Sequence, residues 1–300
     1  MGKLKVWIHA FRLRTLPLSL SGVLMGSFIA LSKRVFEWHI FSLAVTTTLF
    51  LQILSNLAND YGDSKNGKDN AQRIGPTRAV QSGVISLPEM KWMIFLFCLL
   101  SLISGISLIL TSHIHIFSSS FFILLFLGLV SIWAALSYTI GDNPYGYSGW
   151  GDLSVFIFFG LFSVTGTSFL FASNFSIDTF LPAISVGAFS VGVLNLNNMR
   201  DYENDKNTGK KTMVVKMGAQ KAKTYHIVLL SICVLSSLIY IIINSIGKQG
   251  YIFLIVLVPI AFHVKRILDI KEAALFDKEL KILALIALFF SIVFGIGINL

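Results

Sequence analysis

The chain has 300 residues, of which 55% are hydrophobic and only 13% carry a charged side chain. Soluble proteins are about 45–50% apolar and about 25% charged, so a water-soluble fold of this size would lack the charges to cover its surface. The same figures exclude an intrinsically disordered chain and a disulfide-stapled secreted domain. The net charge of +9 is therefore better explained by membrane orientation than by nucleic-acid binding.

Nine apolar stretches of the chain are long enough to cross a bilayer as helices. The first is longer than the apolar region of a typical signal peptide, and no convincing small-residue cleavage site follows it, so we expect it to be retained. The sequence thus predicts an all-α integral membrane protein with nine transmembrane helices. Their limits are about 15–32, 39–58, 92–112, 119–138, 152–172, 180–199, 224–244, 249–268 and 281–299.

The basic residues are concentrated on one side of this arrangement. All but three of the 24 Lys and Arg residues fall in the N-terminal segment or in the loops after the second, sixth and eighth stretches. The exceptions are Lys33, Arg34 and Lys248. Because positively charged loops favour the cytoplasmic side, we predict a multi-pass protein of the inner (cytoplasmic) membrane with a cytoplasmic N-terminus and active site.

Acidic residues cluster at the cytoplasmic ends of the second and sixth stretches. The second stretch leads into Asn59-Asp60-Tyr-Gly-Asp63, and the sixth leads into Asp201-Tyr-Glu-Asn-Asp205. On a helix, these spacings put the two carboxylates of each cluster on one face. Each cluster therefore offers a short column of oxygen ligands.

The two clusters also resemble each other. Each contains Asp-Tyr, then a second Asp, then Lys-Asn and Gly-Lys, which indicates an internal repeat. We predict one polytopic domain, 1–300, with a central cavity that opens to the cytoplasmic side. Its parts are two four-helix halves at about 10–140 and 150–270, a ninth helix at 281–299, and cap loops at 59–91 and 200–223.

Carboxylates stacked on one helical face repel each other and lose hydration near the hydrocarbon region, so a cation is expected beside them. Oxygen donors without neighbouring His or Cys favour Mg²⁺, which completes its shell with water and substrate phosphate. Two such clusters facing one cavity would hold a diphosphate through bridging Mg²⁺ ions. A duplicated membrane transporter for a divalent cation or an anionic lipid is the alternative from another class, although its acids are expected nearer the bilayer midplane.

The paired motifs are similar to the aspartate-rich motifs of the UbiA-type intramembrane aromatic prenyltransferases, and the resemblance covers nearly the whole chain. Three further segments are most similar to the members that act on 1,4-dihydroxy-2-naphthoate in menaquinone synthesis. These segments are Arg12-Leu-Arg14-Thr15-Leu16-Pro17, Arg73-Ile-Gly-Pro-Thr-Arg78, and Tyr138 to Tyr147 leading to Gly151-Asp152.

The resemblance implies transfer of a polyprenyl group from its diphosphate to an aromatic acid, here dihydroxynaphthoate, with loss of CO₂ to give demethylmenaquinone. It implies Mg²⁺ as the cofactor, the diphosphate, the aromatic acid and the bilayer as partners, and no nucleic acid. The residues to which it assigns catalysis and metal binding are Asp60, Asp63, Asp201 and Asp205. Those assigned to the diphosphate are Asn56, Arg73, Arg78 and Lys210, and the acceptor-side candidates are Tyr138, Tyr145 and Asp152.

The chain departs from the family pattern at three places. Many relatives acting on hydroxybenzoate carry a further Asp near Gly67 and a Lys where this chain has Tyr138 to Asp142. Asp152 stands where Glu is expected in the dihydroxynaphthoate members. The acceptor therefore stays open between dihydroxynaphthoate and another aromatic acid such as 4-hydroxybenzoate, and the isoprenoid length, the decarboxylating group and the oligomeric state stay open too.

Overall fold

The computed structural model describes residues 2–70 and 73–300, and within these ranges it contains helices and turns without a strand. Nine helical segments of the described chain are long and apolar enough to cross a membrane, which confirms the predicted fold class. The predicted cap loop 59–91 includes residues 71 and 72, which lie outside the described residues. The nine segments are α1 Lys3–Ser32, α2 Trp38–Lys65, α3 Leu87–Thr111, α4 Ser119–Ser137, α5 Gly151–Ala172, α6 Ile177–Arg200, α7 Ala219–Ile243, α8 Lys248–Asp269 and α9 Ala273–Gly297.

The second helix is longer than its apolar pattern predicts, because it continues through the acidic motif to Lys65. The turn after α4 holds this extension. Gly62 packs directly on Thr139, where a Cβ added to the glycine would lie 2.4 Å from the threonine carbonyl oxygen. The Thr139 hydroxyl also donates to the Ala58 carbonyl at 2.9 Å. The end of α2 therefore carries its carboxylates on a regular helix.

The first helix bends at Arg12, whose backbone adopts the left-handed conformation with φ of 51°. Helix Lys3–Ala10 ends just before this point, and helix Leu16–Ser32 begins after it. The Thr15 amide and hydroxyl donate to the Arg12 carbonyl at 2.8 and 2.9 Å. A left-handed non-glycine residue costs about 1–3 kcal/mol, so these bonds help to hold the bend.

The packing is centred on α6, and α4 is peripheral. Of the most apolar window of each helix, 67% is buried in α6 but only 11% in α4. Phe189 of α6 packs against Phe290 of α9, with ring centroids 5.2 Å apart. In the first half α2 packs against α3, and in the second half α6 packs against α7, in corresponding positions. This correspondence agrees with the predicted duplication, which stays a prediction.

The crossing of α5 and α6 depends on two facing glycines. A Cβ added to Gly160 would lie 2.4 Å from the Cα of Gly187 and 2.8 Å from the Ala183 carbonyl oxygen. Small residues at helix interfaces in membranes let backbones approach closely and so maximise van der Waals contact. The separation of α5 and α6 is therefore set by the absence of a side chain at these two positions.

We predict that Gly160→Ala destabilises the protein by about 1–3 kcal/mol, because the added methyl group meets backbone that cannot move aside easily. The thermal unfolding midpoint of detergent-purified protein measures this effect. Gly128→Ala on α4 is the matched control, since a Cβ at Gly128 meets nothing within 4 Å. Equal midpoints for the two variants would contradict the assignment of a close crossing.

Candidate active site

The two acidic clusters meet at one end of the bundle and share a cation. Lys210 Nζ lies 2.9 Å from Asp63 Oδ1 of α2 and 3.8 Å from Asp205 Oδ1 of the short helix Tyr202–Asn207 that follows α6. Asn204 of that short helix also donates to the Lys68 carbonyl at 3.1 Å. The two clusters therefore face each other across a distance that one lysine spans.

Asp201 belongs to a chain of ion pairs that reaches α9 and α1. Arg200 donates to its two oxygens at 2.7 and 3.0 Å, and Arg73 Nη2 lies 3.9 Å from Oδ2. The Arg200 side chain is 1% exposed, and it also reaches Asp277 at 2.5 Å. Arg14 pairs with the second oxygen of Asp277 at 2.8 Å. The chain of pairs ties the end of α6 to the beginning of α9 and to the bend in α1.

Arg78 joins the end of α2 to the loop that follows it. Its Nη1 lies 2.9 Å from Asp63 Oδ2, and its Nε lies 3.3 Å from Asp69 Oδ2. Arg73 Nε approaches the other oxygen of Asp69 at 3.3 Å. Both Asp69 oxygens are buried, and neither has a hydrogen bond of good geometry to residues 2–70 or 73–300. Asp69 is thus a fifth carboxylate at the site.

Sequence reasoning missed Asp69, because its spacing from Asp63 follows no helical period and its neighbours Gly67 and Lys68 are typical of a solvated loop. The available signal was the pair of arginines that follow, which need acidic partners if they are buried. Burial raises the pKa of the Asp69 carboxyl, and Asp63 nearby adds to the effect.

Asp60 and Asn56 lie on the same helix but have other partners. Asp60 accepts from the backbone amides of Ala79 and Val80 at 2.9 and 3.2 Å, so it holds the loop before α3. Asn56 donates to the Phe11 carbonyl at 3.0 Å and so holds the bend in α1. Each carboxylate oxygen of Asp60 keeps a second lone pair, which leaves it able to bind a cation as well.

Two of the three acceptor-side candidates line the central cavity. Tyr145 donates to the Ala134 carbonyl at 2.8 Å, and its ring meets Tyr138 edge to face with centroids 5.3 Å apart. Asp152 is not among the described residues that line the cavity. It accepts a hydrogen bond from Tyr225 of α7 at 3.0 Å instead.

Tyr147 contacts the first acidic cluster directly through a hydrogen bond to Asp63. Its hydroxyl donates to Asp63 Oδ1 at 2.6 Å, and Lys210 Nζ lies 4.9 Å from its ring centroid. Burial and the neighbouring Asp63 raise the pKa of Tyr147, so its hydroxyl keeps its proton and remains a donor.

The central cavity has a volume of about 370 Å³, and the charged side chains among its described lining residues lie at one end, here called the polar end. Asp63, Asp201, Asp205, Arg78 and Lys210 line the polar end. The cavity also reaches positions near the opposite ends of α3, α4 and α5, where the walls are largely apolar with a few hydroxyl groups such as that of Thr167. That part is lined by Leu108, Ile109, Leu124 and Leu170. An amphipathic ligand with an anionic head and a long apolar tail matches this division.

The two carboxylates of the second cluster differ in proton affinity. Burial raises the pKa of Asp205 to about 7, with only partial compensation from Lys210. Burial also opposes ionisation of Asp201, but the hydrogen bonds and charge of Arg200 hold the pKa of Asp201 below its ordinary value. Asp205 therefore needs a further cation if it is to stay fully ionised near neutral pH.

This donor set fits an oxygen-preferring divalent cation better than a zinc-type metal. Among residues 2–70 and 73–300 no group of three or more His, Cys, Asp or Glu side chains is gathered as a finished metal site. Asp63, Asp69, Asp201 and Asp205 are instead paired with lysines and arginines, whereas Asp60 accepts hydrogen bonds from backbone amides. Burial raises the pKa of Asp69 and Asp205 in spite of their basic partners. Carboxylates arranged around a substrate anion are the typical surroundings of Mg²⁺.

A model of the UbiA prenyltransferase family matches residues 19–293 of the chain. The chain belongs to this family. The family resemblance inferred from the motifs is therefore confirmed, and the protein is a multi-pass membrane prenyltransferase rather than a transporter.

Two relatives named for their enzymatic activity are similar to this chain over most of its length. The 1,4-dihydroxy-2-naphthoate octaprenyltransferase of Haemophilus influenzae is 38% identical over 298 residues, which is 99% of this chain and 96% of the relative. The Escherichia coli protein of the same name is 38% identical over 272 residues, covering 90% of this chain and 88% of the relative.

A solved UbiA homolog from Archaeoglobus fulgidus, bound to DMAPP and Mg²⁺, shares the fold with a TM-score of 0.55 and 16% sequence identity. The alignment covers 95% of this chain and 99% of the archaeal chain. The overall helical arrangement is therefore that of this solved UbiA homolog.

We predict that Arg200→Gln destabilises the protein by about 3–5 kcal/mol, because it leaves the buried Asp201 without its main partner. Thermal unfolding in detergent measures the loss. Lys206→Gln, an exposed position on the following short helix, is the control and should leave the midpoint unchanged. An unfolding midpoint for Arg200→Gln that equals that of Lys206→Gln would show that the ion-pair chain does not hold α6 in place.

Proposed function

We propose that the protein transfers a polyprenyl group from polyprenyl diphosphate to 1,4-dihydroxy-2-naphthoate with release of CO₂, giving the reduced form of demethylmenaquinone. The observation that carries the proposal is the meeting of two acidic clusters at the polar end of a long apolar cavity. The two relatives named for this activity support the choice of acceptor.

The reaction needs the leaving group to be stabilised. The allylic C–O bond breaks, and its electron pair leaves with the diphosphate. A ring carbon then forms the new C–C bond, and the electrons of the bond to the carboxylate return to the ring as CO₂ departs. Groups that bind diphosphate more tightly as its charge grows lower the barrier to the first step.

We assign the cation to the five carboxylates of the two clusters, namely Asp60, Asp63, Asp69, Asp201 and Asp205. When bound, Mg²⁺ supplies Lewis-acid stabilisation of the negative charge on the leaving diphosphate. The solved homolog bound to DMAPP and Mg²⁺ supports this assignment at the level of the family fold.

The diphosphate oxygens are assigned to Arg73, Arg78 and Lys210, with Asn56 as a polar support. Arg78 and Lys210 line the polar end of the central cavity, where they pair with Asp63. Arg73 is not among the described residues that line this cavity, but it approaches Asp201, which does, at 3.9 Å. The guanidinium fork matches phosphate oxygens in bidentate geometry, and hydrogen bonds between charged groups are about twice as strong as neutral ones.

The acceptor is assigned to the tyrosine side of the cavity. Burial raises the pKa of Tyr138, so its hydroxyl stays protonated and can donate to an oxygen of the aromatic ring. Tyr145 adds a ring beside it, and Tyr147 connects this side to Asp63. Asp152, through Tyr225, holds the beginning of α5 against α7 and so supports the wall behind the acceptor.

We further propose that this end of the bundle faces the cytoplasm from the inner membrane. The concentration of Lys and Arg in the loops at this end supports that orientation. Both water-soluble participants, the aromatic acid and the released pyrophosphate, then exchange with the cytoplasm, while the isoprenoid stays with the bilayer.

We predict that Asp63→Asn and Asp201→Asn each lower Mg²⁺-dependent prenyl transfer by about 10²–10³-fold, the size of effect expected for a lost electrostatic contact in the transition state. Turnover of purified protein with a polyprenyl diphosphate measures the loss. Glu203→Gln, an exposed acid on the same short helix as Asp205, is the control and should keep normal turnover. Near-normal turnover in either Asp variant, with normal insertion, would overturn the metal assignment.

We also predict that dihydroxynaphthoate is used in preference to 4-hydroxybenzoate when both compete for one polyprenyl diphosphate. The ratio of the two products gives the ratio of kcat/KM values directly. Preference for hydroxybenzoate would overturn the proposed acceptor and leave the family membership intact.

A further inference from the structure

A second cavity lies beside the first at the same end of the bundle, with a volume of about 340 Å³. The N-terminal helix, the end of α2, the loop before α3 and the end of α6 enclose it. Arg12, Arg78 and Asn197 line both cavities. The second cavity is therefore separated from the active site by a few side chains only.

The lining of this second cavity is strongly basic. Asp60 is the one acid among its described lining residues, and that carboxylate already accepts two backbone hydrogen bonds. Among the described residues, Lys5 and Arg12 form no direct ion pair, and the nearby Asp60 and Asp63 attract Arg12 only at longer range. The basic lining residues, apart from His9, are Lys5, Arg12, Arg14, Arg73, Arg78 and Arg200.

Arg12 is the strongest individual sign of a missing anion. Its Nη2 atom is buried and has no hydrogen-bond partner within the described chain, and its backbone is held in the left-handed conformation. A buried charged donor without a partner is costly, and strained backbone tends to persist where a function requires it. A ligand with several anionic oxygens would satisfy both Arg12 and Lys5.

We propose that the second cavity is a phosphoanion site that receives inorganic pyrophosphate on its way out of the active site. The source of the anion rests on the proposed function, whereas the site itself rests on the basic cavity. Pyrophosphate cannot leave through the apolar part of the central cavity. Arg78 pairs with Asp63 in the first cavity and lines the second, so it offers the anion continuous contact between them.

The test uses the full-length protein in phosphatidylcholine nanodiscs, with the active site filled by Mg²⁺ and a noncleavable prenyl thiodiphosphate. Titration with radiolabelled pyrophosphate should then reveal one further binding site per chain. Lys5→Glu with His9→Gln, both exposed, should weaken this binding by about tenfold or more. Arg12→Gln should weaken it as well. Lys265→Glu, another exposed lysine, should leave it unchanged.

Three outcomes would overturn the proposal. The first is the absence of a second pyrophosphate site in the filled wild type. The second is loss of that site when phosphatidylglycerol replaces phosphatidylcholine, which would identify a lipid headgroup site. The third is its displacement by dihydroxynaphthoate, which would identify a carboxylate site for the acceptor. If pyrophosphate binds but wild-type protein transfers no prenyl group, the proposed function fails and the anion site stands.

Discussion

The mutual neutralisation of buried carboxylates and bases is the interaction on which the rest of this structure depends. Charges of one sign gathered in a region of low dielectric repel each other strongly, and each buried ion that loses its partner costs several kcal/mol. Lys210 between Asp63 and Asp205, and Arg200 between Asp201 and Asp277, remove this cost. Since the partners come from different helices, the same contacts also fix α2, α6 and α9 relative to one another.

This arrangement suits a reaction that develops charge beside a hydrocarbon chain. In the proposed function, the anionic head of the substrate would meet acids that favour a divalent cation and bases that are already in place, so little reorganisation would be needed as the C–O bond breaks. The apolar walls keep water from the allylic carbon while the tail extends away from the charges. In the proposed function, the isoprenoid tail and the reacting groups therefore occupy opposite ends of one cavity.

Much of this architecture could be predicted from the sequence, because the signals are local. Spans of hydrophobic residues, the sidedness of lysines and arginines, and the spacing of Asp201 and Asp205 all lie within short windows. The helix containing Asp60 and Asp63 was also predicted, but their separate partners were not. The Asp60 carboxylate accepts hydrogen bonds from backbone amides, whereas the Asp63 carboxylate faces the cavity. Such differences depend on which loop folds against each side chain.

Contacts between residues that are far apart in the chain have no comparable signal in the sequence. His226 and His263 showed no metal-type spacing, yet their ring nitrogens lie 2.9 Å apart inside the second half of the bundle, and His263 reaches Glu279 at 2.6 Å. The link from Arg14 through Asp277 likewise joins opposite ends of the chain. These pairs follow from how the helices pack, which periodicity does not reveal.

The most direct test of the central claim, that the two clusters act on one shared anion, is a double-mutant cycle. Asp63→Asn, Asp205→Asn and the double variant are compared by their Mg²⁺-dependent affinity for a noncleavable prenyl thiodiphosphate. Residues acting on one shared anion should show a coupling energy of about 1 kcal/mol or more. Additive losses, within about 0.5 kcal/mol, would mean that the two carboxylates act independently and would contradict the account.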